Sequence, residues 1–130
     1  MGPVNWLAVI LATVVAAAVA IVWHGPLLRP RGQILPSRAT PASGALLATL
    51  VFLIGAVMLG HAFARIGAET LAAKPWLYFM QSGGIAVAFV IPAVWLTHVR
   101  NRAEPMRRVL DCAFWLVAYL AMGLVFWALG

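Results

Sequence analysis

The sequence has 130 residues, of which 65% are hydrophobic and 9% are charged, and its formal net charge is +6. A soluble domain is closer to half apolar and a quarter charged, so this composition excludes a protein whose surface mostly faces water. It also excludes a nucleic-acid-binding role, because the basic residues lie between apolar runs and not on one face or in a tail. The length fits a single domain, and the single cysteine, Cys112, excludes an intrachain disulfide.

The first apolar run covers residues 4–24 and contains no charged side chain. As a helix it would be roughly 31 Å long, which matches the hydrocarbon core of a bilayer. Trp6 and Trp23 stand near its two ends, where aromatic residues favour the membrane–water interfaces. The run lacks a basic leading segment and is longer than the apolar part of a signal peptide, so we expect a retained transmembrane helix.

Three further runs, at about residues 44–65, 75–98 and 106–129, are also long enough to span a membrane. In lipid the backbone must satisfy its own hydrogen bonds, so all four runs are predicted to be helices. Short connections between consecutive spans then predict an all-α four-helix bundle with up-down-up-down topology.

Small residues recur at every fourth position in the first two spans. They are Ala8, Ala12, Ala16 and Ala20 in the first span and Ala56, Gly60 and Ala64 in the second. This spacing places each set on one face of a helix, as a smooth stripe that another helix approaches closely. We therefore predict helix packing, including self-association, along these stripes.

The basic residues are distributed unequally between the two sides of the predicted membrane. The first and third connections, with the adjoining helix ends, carry seven: Arg29, Arg31, Arg38, Arg100, Arg102, Arg107 and Arg108. The opposite side carries Arg65 and Lys74. Because basic residues concentrate in cytoplasmic loops, we predict that these two connections are cytoplasmic and that both termini lie outside.

The third span is the least regular, since it contains Gln81, Ser82, Gly83 and Gly84 and then Pro92. Proline removes one backbone hydrogen bond and predicts a kink. Broken helices with polar residues near mid-membrane mark binding or permeation sites. A proline kink beside a small-residue packing patch is also common in membrane helices, so both interpretations stay open.

Ionisable residues inside or at the ends of spans are the candidates for chemistry. His61, near the outer end of the second span, is a potential ligand or proton carrier, although such a histidine is more commonly hydrogen-bonded at the interface. His24, His98 and Asp111 are all predicted at the cytoplasmic end, and two histidines with a carboxylate are able to bind a metal.

The sequence also offers Asp111 simpler partners. Arg107 and Arg108 precede it by four and three residues, within reach on the same helix face. We therefore predict an ion pair there and no metal site. With three acidic residues in all, and no nucleophile–base pattern, phosphate loop or paired carboxylates, we predict neither an enzyme nor a cofactor.

Two stretches carry a family resemblance. One combines the opening 5–9, NWLAV, with the helix-end motif Trp23-His24-Gly25-Pro26 and Leu27. The other lies in the last span and consists of Leu110-Asp111, the aromatic pair Phe114-Trp115, then Leu116-Val117 and Met122-Gly123. Both resemble the bacterial family catalogued as domain of unknown function 1761. The resemblance implies a four-helix protein of the bacterial inner membrane and no particular activity. This chain departs from the family pattern at two of these places, since relatives tend to have Asn at the position of Asp111 and Tyr-His at the positions of Phe114-Trp115.

These observations lead to one main functional hypothesis and two alternatives. The main hypothesis is a non-enzymatic structural or accessory membrane component, whose partners are the lipid bilayer and further copies of itself. The first alternative is a small oligomeric transporter or channel with its pathway at the broken third helix. The second is a membrane enzyme that acts on a lipophilic substrate.

Overall fold

The computed structural model describes residues 2–27 and 42–130, and within them every element of regular secondary structure is a helix, with no strand. The α-helices are α1 (Trp6–Val22), α2 (Ala42–Ile66), α3 (Ala68–Ala73), α4 (Trp76–Ile85), α5 (Ile91–Arg100) and α6 (Pro105–Leu129). π-Helical turns follow α1 at Trp23–Leu27 and join α4 to α5 at Ala86–Val90. Arg29, Arg31 and Arg38 of the first connection lie outside the described residues.

Four helical stretches are long and apolar enough to span a membrane: Trp6–Gly25, Gly44–Ile66, Trp76–Arg100 and Pro105–Leu129. The third of them is α4, the π-helical turn and α5 taken together. This confirms the predicted all-α class with four membrane-length helices.

The ends of α1 and α6 are tied together by a single side chain. The Oδ1 of Asn5 accepts a hydrogen bond from the backbone N–H of Ala8 (3.0 Å), which caps the start of α1. The Nδ2 of the same residue donates to the backbone oxygen of Leu129 (3.0 Å), at the end of α6. Close by, the backbone N–H of Gly2 donates to the oxygen of Ala64, near the end of α2 (3.3 Å). The start of α1 therefore lies beside the ends of α2 and α6.

Pro92 lies at the beginning of α5, directly after the π-helical turn Ala86–Val90. A proline has no N–H to donate, and its ring crowds the carbonyl four residues earlier. The turn before it is wider than an α-helical turn, and the N–H of Ile91 donates to the oxygen of Ala86, five residues back. The wide turn therefore accommodates the backbone around the proline that the sequence identified as a break.

The small-residue stripes are buried inside the single chain. Ala8, Ala12 and Ala16 are fully buried, and α1 makes its most extensive contacts with α6 and α2. A Cβ added at Gly60 would lie 2.9 Å from the Cγ2 of Val9, so α1 and α2 approach as closely as a glycine allows. The stripe surfaces that the sequence assigned to self-association are thus already used by contacts between helices of one copy.

Candidate ligand-binding cleft

Six polar side chains of the spans are hydrogen-bonded to their own helix. The hydroxyl groups of threonine and serine donate to the carbonyl four residues earlier, as do the Nδ1 atoms of two histidines. These pairs, at 2.8–3.0 Å, are Thr13 with Val9, His24 with Ala20, Thr49 with Ala45, His61 with Val57, Ser82 with Tyr78 and Thr97 with Ala93. Such back-bonding satisfies a polar group in lipid without any partner from another helix.

His61 belongs to this self-satisfied class. Its ring is exposed and meets the edge of Trp6 at a centroid distance of 6.3 Å. Within the described residues, His61 forms no ion pair with an acidic side chain. The geometry favours the interfacial, hydrogen-bonded interpretation of this histidine.

The region Gln81–Gly84 faces α6 along part of its surface. Ser82 is fully buried, and a Cβ added at Gly123 of α6 would lie 3.0 Å from its Cβ. Gly83 is buried as well, with Leu120 of α6 against it. Gln81 is half-buried, whereas Gly84 is exposed with no heavy atom within 4 Å of an added Cβ. Ser82 and Gly83 are therefore packing residues here, and none of the four lines either cavity described below.

The three ionisable residues predicted at the cytoplasmic end do come together around one cleft of about 470 Å³. Its lining residues are His24, Ala93, Val94, Thr97, His98, Asp111, Phe114 and Trp115. They come from the π-helical turn after α1, from α5 and from α6. Because α6 packs against both α1 and α5, its residues form the floor of the cleft.

Asp111 pairs with a different residue from the one that the sequence predicted. Its Oδ2 lies 2.8 Å from the Nε2 of His98, and the two side chains are 26% and 21% exposed. In the part of the chain that the structure describes, this is the ion pair that forms, and neither Arg107 nor Arg108 contacts the carboxylate. The Nε of Arg108 instead donates to the backbone oxygen of Ala103 (2.9 Å). The predicted pairing was wrong because helical spacing allows a contact without requiring it, and His98 approaches from the neighbouring span.

His24 is held at the rim of the cleft by its own turn and by an aromatic ring. Its Nδ1 donates to the oxygen of Ala20, and its ring meets the edge of Phe114 at a centroid distance of 4.8 Å. The π-helical turn Trp23–Leu27 carries this histidine, and such turns occur frequently at functional sites. The indole N–H of Trp23, beside it, is buried without a hydrogen-bond partner.

The cleft does not have the geometry of a metal site. Within residues 2–27 and 42–130, no group of three or more His, Cys, Asp or Glu side chains is close enough to hold a metal ion. His24, His98 and Asp111 share a cavity but are not arranged around a common point. The side chain of Pro26, the last residue of the predicted helix-end motif, is outside the description, and Gly25 has no neighbour within 4 Å of an added Cβ.

Sequence reasoning missed the walls of the cleft. Phe114 and Trp115 follow Asp111 by three and four residues, a spacing that places all three on one face of α6. That spacing was the available signal. Ala93, Val94 and Thr97 precede His98 on α5, and nothing in the sequence indicated that α5 and the turn after α1 would stand on either side of this face.

A smaller cavity of about 160 Å³ lies at the opposite end of the bundle. Its lining residues include Gly2, Asn5, Gly60, Tyr78 and Gly130, and no Asp, Glu, His, Lys or Arg is among them. Of these two cavities, the one beside His98 and Asp111 is therefore the one lined by histidine and carboxylate side chains.

The fold and the cleft define a small all-helical membrane protein with an acid–base pair at one end of its helical bundle. A family described as "Protein of unknown function (DUF1761)" matches residues 7–127, and the chain belongs to this family. Comparison with curated proteins and with solved structures found no match. The family agrees with the resemblance seen in the sequence, and its description assigns no activity.

Proposed function

We propose that this chain is a small multi-pass membrane protein that binds an amphipathic small molecule in the cleft beside His98 and Asp111. One observation carries the proposal: three ionisable side chains from separate parts of the chain line a single cleft. Of these three, His98 and Asp111 pair with each other across two helices, whereas side chains such as Thr13, Ser82 and His61 are hydrogen-bonded within their own helices. Ionisable groups at membrane depth are costly, and they are typical of functional sites.

The proposed role is binding and not catalysis. Asp111 and His98 form one acid–base pair, but within the described residues no hydroxyl or thiol group is hydrogen-bonded to it. Two residues with nucleophilic side chains adjoin the pair along the chain, Thr97 and Cys112. The hydroxyl of Thr97 donates a hydrogen bond to the oxygen of Ala93, and the thiol of Cys112 is buried and directed to the oxygen of Ile91 (4.0 Å). A pair of this kind beside an aromatic floor is well suited to hold a ligand in one orientation.

For the arrangement in the membrane, we propose the up-down-up-down topology with both termini outside and a kinked third span. The start of α1 lies beside the ends of α2 and α6, whereas His24, after α1, lies beside the first turns of α6. This alternation supports helices that cross in opposite directions. The end of the bundle that contains the cleft also carries Arg100, Arg102 and Arg107, which favours a cytoplasmic position in a bacterial inner membrane.

A reporter enzyme fused to the C-terminus tests this topology. We expect a periplasmic reporter to be active there and a cytoplasmic reporter to be inactive. The reverse pattern would contradict the orientation, and it would place the cleft at the outer surface.

The two other roles predicted from the sequence receive less support from the geometry. Self-association stays a prediction, but its interface would have to lie outside the buried stripes of α1 and α2. A transport pathway at Gln81–Gly84 would need open space there, where Ser82 and Gly83 instead pack against α6.

Co-purification tests the proposed binding. Ala93 is a small exposed residue that lines the cleft, so Ala93→Trp should fill it, whereas Ala128→Trp adds the same bulk at an exposed position away from it. We expect mass spectrometry of denatured extracts to find a small molecule with the wild type and with Ala128→Trp, and to find it depleted with Ala93→Trp. Identical extracts from all three proteins would contradict the proposal.

A further inference from the structure

We infer that the ligand of the cleft is an organic cation: a protonated amine carried on an apolar, preferably aromatic, body. This inference rests on the proposed function, since it names the chemical class that the same cleft would take. It follows from three properties of the lining side chains, namely their remaining hydrogen-bond capacity, their charge and their aromatic surface.

The hydrogen-bond capacity left in the cleft is mostly that of acceptors. His24 uses its Nδ1–H on the oxygen of Ala20, so the Nε2 of the neutral imidazole accepts. The Nε2 of His98 contacts Asp111, and in the uncharged form of the ring its Nδ1 is an acceptor. The hydroxyl of Thr97 donates to Ala93 and keeps only its oxygen lone pairs. Asp111 retains its second carboxylate oxygen. A ligand that complements this set has to donate hydrogen bonds, and an ammonium group has up to three N–H donors.

The charge of the cleft points to the same class. The Nε2 of His98 contacts one carboxylate oxygen of Asp111, and within the described residues no Lys or Arg side chain pairs with this carboxylate. The guanidinium of Arg108 bonds to the backbone oxygen of Ala103 instead of the carboxylate. A carboxylate beside apolar side chains is unfavourable until a cation approaches. A bound anion would meet this carboxylate at close range, while the arginines of the third connection are not among the lining residues.

The floor of the cleft offers aromatic rings to such a cation. Phe114 and Trp115 both line it, with ring centroids 5.3 Å apart. Trp115 is the partly exposed ring of the two, whereas Phe114 is buried. A cation near the face of an aromatic ring, above all of tryptophan, is attracted by the ring's electron density. Ala93 and Val94 on α5 add an apolar wall for the body of the ligand.

Calorimetric titration with three matched probes tests the inference. The probes are 1-naphthylmethylamine, 1-naphthalenemethanol and 1-naphthoate, which share one aromatic body and differ in the charge of the polar group. The protein is the full chain in nanodiscs of phosphatidylcholine, a zwitterionic lipid that adds no net charge. We expect the amine to bind at least tenfold more tightly than the alcohol or the carboxylate, because only the amine carries a positive charge to Asp111.

Two charge-removing variants locate the effect. Asp111→Asn keeps the size of the side chain and should weaken binding of the amine at least tenfold, which corresponds to about 1.4 kcal/mol. Glu104→Gln removes a carboxylate from an exposed position just before α6, outside the cleft, and should leave the affinity unchanged. Equal affinity of the amine for the wild type and Asp111→Asn would overturn the inference. If Asp111→Asn fails to fold, the comparison of the three probes on the wild type still decides it.

The remaining outcomes separate this inference from the proposed function. Tighter binding of the carboxylate, or equal binding of all three probes, would overturn the inference that the ligand is a cation, while the proposed small-molecule site would stand. No binding of the amine would likewise overturn the inference that the ligand is a cation. Only identical extracts in the co-purification experiment, with Ala93→Trp and Ala128→Trp both like the wild type, would remove the proposed function itself.

Discussion

The third span meets α6 in two different ways along its length. Toward its first half, Ser82 and Gly83 of α4 pack against Gly123 and Leu120 of α6 with no space between the helices. Toward its other end, α5 and α6 are joined by His98 and Asp111, and a cleft of about 470 Å³ lies beside the pair. The difference teaches that two helices pack closely where the residues between them are small and hydrogen-bonded to their own helix. Where larger ionisable residues pair between the helices, space is left beside the pair.

The comparison has a physical basis in how each polar group is satisfied. The hydroxyl of Ser82 donates to the oxygen of Tyr78 in its own helix, so the opposite helix is free to approach. The imidazole of His98 reaches its partner on another helix, so the two backbones have to stay apart by the length of two side chains. The π-helical turn Ala86–Val90 lies between these two regions of the third span.

The largest effect is expected where closed packing is tightest, on the stripe of α1. Ala12 is fully buried, so Ala12→Ile should overpack the core and lower the free energy of unfolding by about 3 kcal/mol. Ala18→Ile, on the exposed side of the same helix, should change it by less than about 0.5 kcal/mol. Unfolding in mixed detergent micelles measures both. A stable Ala12→Ile protein with an altered oligomeric state would instead assign this stripe to self-association.

A somewhat smaller effect is expected at the closed contact itself. A Cβ at Gly123 would meet Ser82 and would lie 3.0 Å from the backbone oxygen of Tyr78, which cannot rotate away. Gly123→Ala should therefore destabilise the protein by about 2 kcal/mol, although alanine is the better helix former. Gly84→Ala, in open space on the same span as Ser82, should stabilise by up to about 1 kcal/mol. Equal effects at the two glycines would show that α4 and α6 are not in close contact.

Removing the charge of Asp111 beside the cleft should cost less stability than overpacking at Ala12 or Gly123. The side chains of His98 and Asp111 are about one-quarter exposed, and ion pairs of this kind contribute roughly 1 kcal/mol or less. Asp111→Asn should therefore lower the free energy of unfolding by less than about 1 kcal/mol, as measured by unfolding in mixed detergent micelles. A loss several times larger would make the pair a structural element, and Glu104→Gln serves as the charge-matched control.

The smallest effect is expected at Gln81. Its side chain is half-buried, lines neither cavity and makes no hydrogen bond within the described residues. Gln81→Leu should change the free energy of unfolding by less than about 0.5 kcal/mol and leave binding of 1-naphthylmethylamine unchanged. Loss of that binding would move the functional site to the broken part of the third helix and reverse the comparison.

The residue pattern predicted some features of the site and not others. His24, His98 and Asp111 were expected at one end of the bundle because each terminates or begins a span, and the structure places them around one cleft. The partner of Asp111 was not predictable, since Arg107 and Arg108 are nearest along the helix while His98 is nearest in space. The burial of Ser82 against α6 was not predictable either, because it depends on Gly123, which is 41 positions away in the sequence.

The sequence by itself determined the all-α class, the four membrane-length helices and the family, because these depend on the length and polarity of consecutive segments in a lipid environment. It also determined that the small-residue stripes are able to form close helix contacts. Only the tertiary structure decided which helices meet at those stripes, that Asp111 pairs with His98, and that Phe114 and Trp115 form the floor of a cleft. These features depend on the relative placement of separate helices, and many sequence-distant contacts together set that placement.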